Sequence, residues 1–151
     1  MPKKKYTDPC EERYHRNFPA FPGIAKLAEL LRRGHATNGY LDVILYEIRK
    51  HAEEYFDELI AEIRNDDDPW VSSLLLAELA GARLPAAEGF LIENLQSHDL
   101  RRRSWAIFGL RDLNTKSARQ ALWAARSYSF DTPEATEEFR RCIDGAMGWD
   151  T

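Results

Sequence analysis

A chain of 151 residues is about the size of one domain and is long enough to bury a core without cross-links. Its two cysteines, Cys10 and Cys142, lie near opposite ends without metal-ligand spacing, so neither a disulfide framework nor a zinc site is predicted. The net charge of −4 disfavours nucleic acid, and because no signal peptide or membrane-spanning apolar run is found, we expect a cytoplasmic protein.

The N-terminal part of the chain is rich in helix breakers. Residues 1–22 contain four prolines among charged and aromatic residues and show no apolar period, which predicts an irregular lead-in before a helical domain over 23–151. That domain begins with the apolar side of a helix from about Gly23 to Arg33, which Gly34 ends.

The next apolar stripes predict helices with little between them. The first stripe follows a start signal at Thr37 or Asn38, and the second ends near residue 65; they comprise Leu41, Ile44, Leu45 and Ile48, then Phe56, Leu59, Ile60 and Ile63. The break signal between Lys50 and Glu54 is weak, so residues 39–65 fit either one kinked helix or two, and we favour two.

Start signals become stronger further along the chain. Asp68 before Pro69 combines an N-cap acceptor with a proline in the first turn, and the apolar helix that follows ends at Gly81. Pro85 opens the next helix, Asp99 caps another, and residues 116–128 repeat the pattern. The last unit is more polar, and its cap shifts to Asp131 or Thr132.

A 31-residue period relates these segments. It aligns the cap positions Thr37, Asp68 and Asp99, and it aligns apolar columns such as Ile44, Leu75, Ala106 and Ile48, Leu79, Leu110. A helical pair with one bare apolar face buries it against the next pair, so we predict stacked pairs that offer an extended binding surface.

The stretch Asp68–Val71 with Leu75, Leu76 and Leu79, and its echo from Asp99 to Leu110, resembles the second helix of HEAT repeats of the short bacterial type. The resemblance implies an all-α fold, an α-solenoid of about four helical pairs that binds other molecules. It also implies a ladder between neighbouring units, made by the cap acid and an arginine four positions on. Asp99 and Arg103 fit this pattern, whereas Ser72 stands where the earlier arginine belongs.

Charge and aromatic residues suggest where a partner binds. Between residues 42 and 68, ten acidic residues face three basic ones, a local charge of −7. Trp70 lies in a first helical turn and is predicted as a partly exposed anchor, whereas Trp105 and Trp123 are predicted to pack in the core. The candidate partner-binding residues are Glu54, Asp57, Glu58, Glu62, Asp66, Asp67, Asp68, Trp70, Asp99, Arg101 and Arg102.

Several chemistries are disfavoured. The run Asp66–Asp68 lacks the alternating ligands of a calcium loop, so no metal or cofactor is predicted. Three consecutive arginines, Arg101 to Arg103, point in three directions on a helix and do not form one basic stripe. The four histidines are scattered, and no catalytic motif is present, so catalytic residues are not assigned.

These patterns favour a non-catalytic module that binds another protein. The sharper hypothesis is an immunity-type inhibitor or adaptor that docks a basic partner, such as a toxin or nuclease, through an acidic face. The alternative is a HEAT-like DNA-binding or DNA-modifying protein of glycosylase type.

Overall fold

The computed structural model describes residues 6, 8–65 and 67–150, and within these it contains helices and turns but no strand. The helices of this part of the chain are α1 (Pro9–Asn17), α2 (Ile24–Arg32), α3 (Asn38–Lys50), α4 (Phe56–Arg64), α5 (Pro69–Gly81), α6 (Glu88–Asn94), α7 (Leu100–Leu113), α8 (Lys116–Ala125) and α9 (Pro133–Met147). A 3₁₀ turn at Pro85–Ala87 precedes α6. The prediction of an all-helical chain is confirmed for the described part, where no helix is both long and apolar enough to cross a bilayer.

The 31-residue period sets the starts of three helices. Helices α3, α5 and α7 begin at Asn38, Pro69 and Leu100, which are 31 residues apart. Asp68 and Asp99 act as caps, since their side chains accept hydrogen bonds from the backbone N–H groups of Val71 and Arg101 at 3.1 and 2.8 Å. The aligned apolar columns are buried, as predicted, and include Ile44, Leu75, Ala106, Ile48, Leu79 and Leu110.

The helices form two compact units, residues 1–78 and residues 79–151. In the first unit, α1 packs on α3, and α2 packs on both α3 and α4. Two separate helices, α3 and α4, occupy residues 39–65, as we favoured from the sequence. The turn between them, residues 51–55, buries Ala52 and leaves Glu53 and Glu54 exposed.

The prediction of an irregular lead-in is wrong over Pro9–Asn17, which forms α1. Asp8 caps this helix by accepting hydrogen bonds from the backbone N–H groups of Cys10 and Glu11. Pro9 lies in the first turn, where its missing N–H costs nothing, and the later prolines lie beyond the end of the helix. Tyr14 is buried, so this helix belongs to the core of the first unit.

In the second unit, α7 packs on α6, α8 and α9, and α6 also packs on α8. The close approach of these helices depends on Gly109 in α7. A Cβ atom at this position would lie 2.9 Å from both Ala80 Cβ and Leu91 Cδ1. The last helix, α9, is capped by Thr132 and buries Phe139 and Ile143.

Candidate functional site

Three unpaired carboxylates lie together in sequence at the start of α4, and we call Glu53, Glu54 and Asp57 the acidic turn. Glu53 and Glu54 lie in the turn after α3, and Asp57 lies in the first turn of α4. All three are exposed, and none forms an ion pair or hydrogen bond with any other described residue. A helix N-terminus stabilises nearby negative charge, which helps this turn to tolerate three acids. The acidic turn therefore directs its negative potential to solvent.

Two predicted partner-binding residues on the same helix, Glu58 and Glu62, have intramolecular partners instead. Glu58 Oε1 accepts a hydrogen bond of 2.9 Å from the backbone N–H of Ala25, in the first turn of α2. Glu62 Oε2 lies 2.6 Å from Arg32 Nη2 at the other end of α2. Since Gly23 before α2 provides no side-chain cap, Glu58 fulfils that role from another helix. Both glutamates hold α4 against α2.

Only part of the segment from Asp66 to Trp70 is exposed, as its predicted role in partner binding requires. Asp66 lies outside the described residues, and Asp67 is exposed without a partner among them. Asp68 is half-buried as the cap of α5. The indole of Trp70 is 45% exposed, as expected for an anchor in a first helical turn.

The prediction that Trp105 and Trp123 pack in the core is wrong, because they are 39% and 58% exposed. Each lies directly beside a buried position, Ala106 or Leu122. At about 100° per residue, each tryptophan lies on the side of its helix away from the buried face, which is formed by Ala106, Ile107 and Leu110 in α7 and by Ala118, Leu122 and Ala125 in α8. Trp123 instead contacts Trp149 edge to face, with ring centroids 5.1 Å apart.

The predicted residues of the second unit, Asp99, Arg101 and Arg102, also have partners within the chain. Arg101 Nη2 lies 2.9 Å from Asp99 Oδ2, and Arg102 Nε donates to Asn94 Oδ1 at 3.0 Å. Burial acts to raise the pKa of Asp99, but hydrogen bonds from Arg101 and Arg102 outweigh it, so this pKa lies below its usual value. The arginine run thus serves the start of α7.

Arg103 is buried, and the ladder ion pair that the resemblance implied is not formed within the described part of the chain. Its Nη1 donates to the backbone carbonyls of Ser97 and His98 at 3.0 and 3.3 Å. Its guanidinium carbon lies 4.2 Å from the ring centroid of Phe130. Phe130 stands 31 residues after Asp99, so an aromatic ring replaces the acid that the ladder requires. A cation–π contact takes the place of the ion pair.

A buried carboxylate that the sequence analysis did not single out is Glu47 in α3, only 3% exposed. Its Oε1 lies 3.2 Å from Lys50 Nζ and 3.6 Å from His15 Nε2, and its Oε2 lies 3.7 Å from His51 Nδ1. Burial, followed by the charge of Glu47, raises the pKa of Tyr14 well above its usual value. The 31-residue period could have indicated this position, because Glu47 is in register with Glu78 and lies between two columns of buried apolar residues.

Glu78, also in the first unit, is likewise paired with a basic side chain. Its Oε2 accepts a hydrogen bond of 2.8 Å from Arg49 Nε. Burial raises the pKa of Glu78, and the charge and hydrogen bond of Arg49 only partly offset this effect. Buried Glu47 and partly buried Glu78 are therefore both paired with bases from α3, which compensate their charge.

Neither cluster has the ligand set of a metal centre. Among the residues that the structure describes, no three histidine, cysteine, aspartate or glutamate side chains converge to hold a metal ion. The first unit therefore presents free carboxylates in the acidic turn, which act by electrostatic attraction. It also presents Trp70 as an exposed aromatic side chain. In comparisons with known proteins, the chain matches no protein-family model, no curated protein and no solved structure.

Proposed function

We propose that this chain is a non-catalytic binding protein, an α-solenoid of HEAT-like helical pairs that docks a basic protein partner through its acidic turn. The single observation that carries the proposal is the set of three exposed, unpaired carboxylates within five residues, Glu53, Glu54 and Asp57. An immunity-type inhibitor of a basic toxin is the specific form that the sequence suggested.

The repeat architecture in this proposal is supported by helix starts spaced 31 residues apart and by packing between alternate helices. Helix α1 packs on α3 and α2 on α4 in the first unit, while α6 packs on α8 and α7 on α9 in the second. Contacts between each helix and the next but one are the arrangement expected of neighbouring helical pairs in a repeat protein.

The choice of a basic partner is supported by how the acidic segment 42–68 distributes its charge. Glu47, Glu58, Glu62 and Asp68 are held by bases or backbone N–H groups of the same chain. The acidic turn remains free of such compensation, so a cationic partner gains its full attraction without breaking an internal pair. Arg101, Arg102 and Arg103 already pair with groups of the same chain. They therefore give no comparable support to the nucleic-acid alternative, which needs basic side chains free to bind phosphate.

The test compares two variants with the same change in charge. The first, Glu53→Gln/Glu54→Gln/Asp57→Asn, neutralises the acidic turn. The matched control, Glu12→Gln/Glu134→Gln/Asp150→Asn, removes three exposed carboxylates elsewhere. Affinity capture from native lysate should recover a basic protein with the wild type and the control, and at least about tenfold less with the acidic-turn variant.

The recovered partner allows a second measurement. Its association rate should fall steeply as ionic strength rises from about 0.05 to 0.5 M, since screening shortens the range of charge attraction. Equal capture by both triple variants, or an association rate that does not respond to salt, would contradict the proposal. A low-salt mobility shift of DNA would instead favour the nucleic-acid alternative.

A further inference from the structure

Two loops of the second unit form an open pocket of about 400 Å³, and none of the predicted partner-binding residues lines it. The first loop joins α6 to α7, and the second joins α8 to α9. We call this space the inter-loop pocket; its lining residues are Gln96, His98, Tyr128, Ser129, Phe130 and Asp131. Its volume falls in the range of pockets that bind small ligands or single side chains.

The pocket arises where the 31-residue period is broken. Helix α9 begins at Pro133, which is 33 residues after the start of α7 at Leu100. The cap of α9 is Thr132, and the residue in register with Asp99 is Phe130, whose backbone N–H donates to Thr136 Oγ1 at 2.8 Å. Two additional residues therefore precede α9. They place Asp131 outside the capping interactions, exposed and without a partner among the described residues.

Buried side chains hold both loops in place. Arg103 donates to two carbonyls of the first loop, at Ser97 and His98, and its guanidinium lies against the ring of Phe130 in the second. Phe130 also contacts Phe139 of α9 edge to face, with centroids 4.8 Å apart. Because these contacts come from helices α7 and α9, the core of the second unit holds the Phe130 wall of the pocket in place.

The electrostatics of the pocket favour a cation. Asp131 is its only charged carboxylate, and no lysine or arginine is among its lining residues. The nearby guanidinium of Arg103 is buried: its Nη1 donates to loop carbonyls, and its Nε, which has no hydrogen-bond partner among the described residues, is closed off from solvent, so the group offers little to an anion.

We propose that the inter-loop pocket binds an arginine side chain of the basic partner, with the guanidinium stacked on an aromatic wall and paired with Asp131. Arginine fits better than lysine because its planar group can stack on an aromatic ring while donating two parallel hydrogen bonds to one carboxylate. Tyr128 and Phe130 both supply a ring for stacking, although Arg103 already occupies one face of Phe130 and Tyr128 lies parallel to Phe139 with ring centroids 6.3 Å apart. This inference rests on the proposed function, since it names the side chain that a basic partner inserts.

The test uses N-acetyl-arginine methylamide as the probe and the full chain labelled with ¹⁵N. The uncharged analogue N-acetyl-citrulline methylamide, which has nearly the same shape, is the matched control ligand. Arginine should shift the backbone amide signals of Gln96, Ser129 and Asp131 in a saturable manner, and citrulline should not. Asp131→Asn should weaken arginine binding at least about tenfold, whereas Glu134→Gln should change it less than about threefold.

Three results would overturn the inference: equal shifts with citrulline, unchanged binding in Asp131→Asn, or arginine-induced shifts confined to the acidic turn. The acidic-turn variant separates this inference from the proposed function, because it should still bind the arginine probe with unchanged affinity. Probe binding in a chain that captures no basic protein would keep the pocket as a guanidinium site and refute the protein partner.

Discussion

Replacing Gly109 with alanine tests the close helix packing in the second unit. The added Cβ would lie 2.9 Å from Ala80 Cβ and 2.9 Å from Leu91 Cδ1, distances that real Cβ contacts essentially never show. Ala80 cannot rotate away, because its Cβ is fixed to the backbone of α5, and Leu91 is buried. Overpacking costs about 1 to 3 kcal/mol, and because Ala80 Cβ cannot move we expect the upper part of this range, about 2 to 3 kcal/mol, of which the better helix propensity of alanine offsets about 1 kcal/mol.

We therefore expect Gly109→Ala to lower the free energy of unfolding by about 1 to 2 kcal/mol. Urea unfolding followed by far-UV circular dichroism should detect a midpoint lower by about 0.5 to 1 M. The matched control is Gly145→Ala in α9, where no atom lies within 4 Å of the added Cβ. This control should gain about 0.5 to 1 kcal/mol. If Gly109→Ala is as stable as the wild type, or if both variants shift in the same direction, the packing argument fails.

Two further substitutions probe buried polar groups and a helix cap. Tyr14→Phe should stabilise the chain by about 1 kcal/mol, because the buried Tyr14 hydroxyl has no hydrogen-bond partner in the described part of the chain. The control Tyr40→Phe should not stabilise it, because the Tyr40 hydroxyl accepts a hydrogen bond from Asn17 that this variant loses. Asp99→Ala should cost about 0.5 to 2 kcal/mol at neutral pH through loss of the α7 cap. Since the folded-state pKa of Asp99 is lowered, its contribution is present above its usual pKa of about 4 and is lost as the pH falls through the folded value. The cost of Asp99→Ala, measured by urea unfolding, should therefore shrink in acid; a cost that does not change with pH would contradict this assignment.

Surface charge shows where prediction from the sequence reaches its limit. The local charge of −7 over residues 42–68 identified an acidic segment, but not which carboxylates are free. Glu58 and Glu62 are bound by Ala25 and Arg32, which lie about thirty residues earlier in the chain. Glu53 and Asp57, close by in sequence, have no such partner among the described residues. Neither composition nor helical period distinguishes these two groups.

The sequence alone determined the starts of the three helices in register and the buried columns aligned with them, but neither the start of α1 nor the exposure of Trp105 and Trp123. Helix starts at Asn38, Pro69 and Leu100, and the buried columns aligned with them, follow from caps and side-chain spacing, which act over a few residues. Only the tertiary structure decided which polar groups are used internally and which face solvent. The pairing of Arg103 with Phe130 and the inter-loop pocket beside it depend on distant segments packing together, and such contacts leave no local signal in the chain.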